Sequence, residues 1–163
     1  MSTPRVETRS WVTRGLVMGG VLVVTRAVVG HTVGIWPSHG TALRMLGLGI
    51  IIAVALSWGF SDGRRDRSKH PDPDRGGEDL TVRWLAAGAL AGFSGGLVVW
   101  LVGKVGLEVG DKSLLFEMTS GAAWTILLVF LAAMVGKVFG AGLAARSLAA
   151  APPVRYSVTA AER

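Results

Sequence analysis

An all-α bundle of four transmembrane helices is the fold class this sequence predicts, and three observations predict it. Half of the residues are apolar, mean hydropathy is +0.48, and only 17% of the chain is charged. That is the profile of a chain whose solvent is lipid rather than water. Four apolar runs are each long enough to cross about 30 Å of hydrocarbon, a task that takes roughly 20 helical residues. The basic residues collect between these runs rather than on one soluble face, so the net charge of +6 reads as membrane topology and not as a nucleic-acid footprint.

The elements follow in order. Residues 1–11 form a basic tail, and residues 12–36 form the first span. Arg5, Arg9 and Arg14 ahead of an apolar run resemble a signal peptide, but the run is too long and has no small-x-small cleavage site, so it reads as a retained helix. Pro37-Ser38-His39-Gly40 breaks the chain, because proline cannot continue the hydrogen-bond ladder and glycine tolerates the reversal. The second span, residues 42–60, completes a helical hairpin. Residues 61–81 read as a charged surface loop, with both charge signs interleaved, two prolines and three glycines. The third span covers 82–102, a short loop covers 103–117, the fourth span covers 118–140 and makes the second hairpin, and 141–163 is expected to be a flexible tail. Glu78 and Asp79 precede the third span, where negative charge offsets the positive end of a helix dipole.

Basic residues orient the bundle. Thirteen of the 17 Lys and Arg fall on the side of the N-terminus, three (Arg44, Lys104, Lys112) fall on the other, and Arg26 lies within the first span. The positive-inside rule then places both termini in the cytoplasm and the protein in the plasma membrane as a multi-pass chain. Tryptophan fits the same frame. Trp11, Trp58 and Trp84 are expected at the inner boundary and Trp36, Trp100 and Trp124 at the outer one, where an indole is half wet.

Gly88, Gly92 and Gly96 recur at four-residue spacing in the third span, and Gly136 and Gly140 repeat it in the fourth. Such faces carry almost no side chain and admit a second helix closely. They either close the bundle or join two copies, and the strong orientation bias makes any homo-oligomer parallel. Arg26 is the deepest charge, about nine residues or roughly 13 Å from the outer end of its helix, where an unpartnered cation costs at least about 2.5 kcal/mol. Glu117, near the outer mouth of the fourth span, is the acid at the nearest depth. The two are expected to form an intramembrane ion pair, or Arg26 to bind an anion or a lipid headgroup.

Several classes of chemistry find no support. Cysteine is absent, which removes disulfides, thiolate nucleophiles and Cys-based zinc or iron–sulfur sites. His31, His39 and His70 lie on three separate segments and are not expected to share a metal or act as one base. Asp72 and Asp74 lack the ligand spacing of an EF-hand. No phosphate-cradling or dinucleotide motif is present, so the chain reads as a non-enzyme without metal or cofactor, partnered by membrane lipids, with no nucleic acid.

One stretch carries a resemblance. Trp58-Gly59, Asp62-Gly63-Arg64, Asp66, Pro71-Asp72-Pro73-Asp74-Arg75, Glu78-Asp79-Leu80, Trp84-Leu85 and Ala87-Gly88, with Arg26, Glu117 and Thr119, resemble a family of small actinobacterial proteins described as four-transmembrane transporters of the drug/metabolite type. The resemblance implies a small transporter or exporter. The best-known four-helix multidrug exporters place a carboxylate in the first helix, whereas Arg26 stands there in this chain, so a neutral or anionic solute is expected rather than a cation. The alternative is a non-transporting adaptor or lipid-binding accessory subunit of a larger envelope complex.

Overall fold

The computed structural model describes residues 5–72, 79–104 and 113–150, and those residues form four long helices without a strand among them. Helix α1 is Arg5–Ile35, α2 is Gly40–Lys69, α3 is Leu80–Lys104 and α4 is Leu114–Ala149. All four contain a stretch long and apolar enough to cross a bilayer, so this is a multi-pass membrane protein built as a four-helix bundle. Pro37–His39 makes one 3₁₀ turn between α1 and α2, with proline at its first position, where the missing N–H costs nothing. Asp79 caps α3, its carboxylate accepting from the Thr81 and Val82 amides at 3.2 and 3.3 Å. Ser113 caps α4 in the same way, its hydroxyl accepting from Phe116 N at 3.3 Å.

The helices alternate in direction. In cross-section α1 packs on α3, α3 on α4, α4 on α2 and α2 on α1, which leaves α1 diagonal to α4 and α2 diagonal to α3. We call the end that holds the start of α1 and the end of α2 the near end, and the opposite one, with the Pro37–His39 turn, the far end. The core is made of small side chains around a few large ones: Ala55, Ala87, Ala91 and Ala133 surround Met18, Trp84 and Val129.

Bare backbone makes the tightest seam. A Cβ on Gly59 would collide with the Ala133 backbone, one on Gly63 with Lys137, one on Gly136 with Leu56 and one on Gly140 with Phe60, so α2 and α4 interlock glycine to carbonyl over the near half. Gly88, Gly92 and Gly96 face Ile126, Ala122 and Glu117 of α4, which covers that stripe within one chain. Gly15 and Gly19 of α1 sit against Ala87, Leu90, Ala91 and Ser94 of α3.

Four boundaries differ by more than two residues from those the sequence predicts, and the first is the start of α1, at Arg5 inside the expected tail instead of at residue 12. Helix α2 runs to Lys69 instead of ending at residue 60, because the prolines that would stop it come only at 71 and 73 and its single interior glycine there, Gly63, is a packing contact. It ends where the residue before Pro71 is steered out of helical dihedrals. Asp62 and Gly63 are therefore buried helix residues and Arg64 is a helix residue, not part of a solvated loop. Pro71 and Asp72 follow the helix end, while Pro73, Asp74 and Arg75 lie outside the described residues. Helix α4 starts at Leu114, one turn ahead of the expected residue 118, because Ser113 caps it, and it continues through the alanine-rich stretch to Ala149 instead of yielding to a tail at 141. Trp84 is completely buried within the bundle, so its indole is not half wet as expected.

Candidate functional site

The far half of the bundle holds a charged pair that spans the α1–α4 diagonal. Arg26 donates from Nη1 to Glu117 Oε2 and from Nη2 to Oε1, each at 2.9 Å, a bidentate fork whose planar geometry suits a carboxylate. The side chain of Glu117 is 3% exposed and that of Arg26 is 32% exposed. The carboxylate is thus the shielded partner and Arg26 the more exposed one.

The backbone under Glu117 is unusual. Residues Glu117–Gly121 form a π-helical turn, the Ala122 amide reaching back to the Glu117 carbonyl. A π turn inserts an extra residue into the helix and is frequent at functional sites. Two glycines make room for it. A Cβ on Gly96 of α3 would lie 3.0 Å from the Glu117 carbonyl oxygen, and one on Gly121 would lie 2.9 Å from Glu117 Oε2, so the acid lies folded back over its own helix. Thr125 donates to the Gly121 carbonyl at 2.9 Å and ties down a backbone group beside the turn.

A cavity of about 300 Å³ adjoins the pair, bounded by Leu22 and Arg26 of α1, Leu48 and Ile51 of α2, and the Phe116–Leu128 face of α4. Its apolar wall is interrupted by the guanidinium, the carboxylate and the hydroxyls of Ser120 and Thr125. An apolar recess with a few convergent polar groups is the ordinary form of a small-molecule site.

The near end holds a second polar cluster, and it is mostly buried. Asp62 of α2 accepts at one oxygen from Arg14 Nε at 3.1 Å, Arg14 Nη2 at 3.0 Å and Trp84 Nε1 at 3.2 Å. The Arg14 guanidinium also lies 5.8 Å from the centre of the Trp84 ring, and Trp58 meets Trp84 edge-on with centroids 6.1 Å apart. Arg14 and Asp62 are 11% and 7% exposed. This cluster binds α1, α2 and α3 together.

No family model and no curated protein matches the chain. The geometry of the two ends therefore carries the functional argument.

Of the residues singled out in the sequence, the structure brings Arg26 and Glu117 together. It distributes the five spaced glycines over the α3–α4 and α2–α4 seams, and it sends the motif residues to two places, the buried Asp62–Gly63 step and the chain beyond α2. The sequence reading missed Gly121, Ser120, Trp124 and Thr125 as site residues. Gly121 and Thr125 follow Glu117 at four-residue steps, so they share its helix face, and that spacing was the signal available. Arg14 and Asp62 were readable only as members of a basic tail and a loop, since nothing local joins residues 48 positions apart.

Proposed function

We propose that this membrane protein takes the polar group of a small neutral or anionic molecule into the far-half cavity at Arg26 and carries it across the bilayer as a small transporter or exporter. One observation carries the reading: a buried carboxylate on a π turn holds Arg26, a third of whose side chain is exposed, at the wall of a largely apolar recess. A charge at this depth is costly unless it is paired or solvated, and intramembrane ionisable residues commonly mark solute paths. The likeness of Arg26, Glu117 and the Asp62–Gly63–Arg64 stretch to four-transmembrane transporters of the drug/metabolite type supports the same reading. The tight glycine-to-carbonyl packing of α2 against α4 over the near half favours a second one, a lipid-binding accessory subunit.

The test is a panel of small anionic and neutral solutes screened for a rise in melting temperature of the purified protein and of Arg26→Gln. Solutes that stabilise the wild type and not the variant are then loaded into proteoliposomes. Release through the wild type alone supports transport; tight binding with full retention supports the accessory role; no solute that distinguishes wild type from variant removes the site.

The basic-residue bias supports an orientation with both termini in the cytoplasm, which puts the Arg26–Glu117 end outside. In a chain free of cysteine, Asp72→Cys should react with an impermeant thiol reagent only from the cytoplasmic side, and Lys112→Cys only from the outside. Labelling of both from outside would overturn the orientation.

A further inference from the structure

We propose that Glu117 is a proton acceptor that couples binding of an oxyanion at Arg26 to uptake of one proton, so that the cavity fills with no net change of charge. This rests on the cavity being a binding site, and it adds the coupling ion and the charge class of the ligand. The reasoning starts from the pair as it stands. Both oxygens of Glu117 are engaged by Arg26, so the site is neutral and offers an incoming anion no net attraction. A phosphate, sulfonate or carboxylate that reached the partly exposed Arg26 would set two anions against one cation, in a recess walled by Leu22, Leu48, Ile51 and Leu128 where such repulsion is poorly screened.

Protonation of Glu117 removes that conflict. The carboxylate plus one proton becomes a neutral acid, Arg26 keeps its charge because a guanidinium does not deprotonate in proteins, and the ligand supplies the replacement anion. One anion and one proton enter together, and the charge of the site before and after is the same. Ser120 contributes a hydroxyl to the same wall.

No other charged group of the described residues is placed to substitute for Glu117. Helix α1 presents Leu22 and Arg26 to the cavity, α2 presents Leu48 and Ile51, α3 meets Glu117 through Gly96, and the other polar groups of α4 there are Ser120 and Thr125. His31, His39, Arg44 and Lys104 lie toward the far end, are exposed and do not line the recess.

The probes should be anions whose own charge is constant with pH, so that any proton taken up belongs to the protein. Hexanesulfonate represents a free solute, and phosphatidylglycerol in phosphatidylcholine nanodiscs represents a lipid headgroup. Calorimetric titration of the wild type in buffers of different ionisation enthalpy should show one proton taken up per probe bound. Where the pair is ionised, affinity should fall about tenfold for each unit rise in pH. Glu117→Gln should bind either probe with an affinity independent of pH, and Arg26→Gln should bind neither. Response to the sulfonate alone assigns a solute, and response to the lipid alone assigns a headgroup; either supports the proposal. Binding by the wild type with no proton uptake and no pH dependence overturns the coupling while leaving the binding site intact. Failure of both probes to bind wild type and Glu117→Gln alike removes the site itself. Proton uptake is read on the wild type, so the proposal stays testable even if Glu117→Gln does not fold.

Discussion

Arg26→Gln should destabilise the protein by about 3–5 kcal/mol, the usual cost of removing one partner from a buried pair, because it leaves the 3% exposed carboxylate of Glu117 facing apolar walls. Glu117→Gln should cost less, since Arg26 is a third exposed and its long side chain can turn its charge toward the membrane surface. The double variant should be more stable than the sum of the two losses predicts, as neither charge is then stranded and two amides can bond to each other. Melting temperatures of the four proteins in one detergent complete the cycle. Additive losses would mean that the 2.9 Å contacts carry no coupling, and an unchanged Arg26→Gln would mean that the carboxylate finds another partner.

Gly136→Ala is the second large effect. Its methyl group would meet the Leu56 carbonyl and the Phe60 amide, both main-chain atoms within α2 that cannot rotate aside. Overpacking of a tight site costs about 1–3 kcal/mol and sometimes more, so Gly136→Ala and Gly140→Ala should each lower thermal stability by at least that amount. Gly92→Ala should fall lower in the series, its new methyl lying 2.9 Å from one carbonyl oxygen, that of Ala122. Gly49→Ala and Gly142→Ala serve as controls, because nothing lies within 4 Å of a Cβ at either position. They should be neutral, or stabilise by up to about 1 kcal/mol through helix propensity. All five changes are the same chemical substitution in a helix, so the differences among them report packing alone. Equal losses at positions 49 and 136 would rule out the interlocked seam.

How much of this could be read from the chain depends on the range of the signal. The four spans follow from local hydropathy, and the hairpin from Pro37 and Gly40. The pairing of Arg26 with Glu117 is inferable because Glu117 is the acid nearest to Arg26 in depth. Composition misled the reading of residues 61–69: their charges suggested solvent, but a helix can carry charge on its exposed side while Asp62 and Gly63 face inward. Trp84 misled in the same manner. Its position at a predicted boundary suggested an anchor, whereas a carboxylate 22 residues earlier gives the indole N–H a buried partner. The π turn has no signature in the sequence that local reasoning detects, since it arises where α4 bends its ladder to fit Glu117 between Gly96 and Gly121.

The unequal seams also have a mechanical consequence. Backbone contact welds α2 to α4, and small residues join α1 closely to α3, whereas α1 and α2 touch over a much thinner strip. The bundle is in that sense two stiff slabs, one of α1 and α3 and one of α2 and α4, joined through α3 and α4 like the leaves of a book. Arg26–Glu117 and the Asp62 cluster are its two clasps, since each ties one slab to the other, at opposite ends. With the far clasp undone, the thin α1–α2 edge would be the line along which the leaves part most cheaply, since every glycine contact within a leaf would stay made.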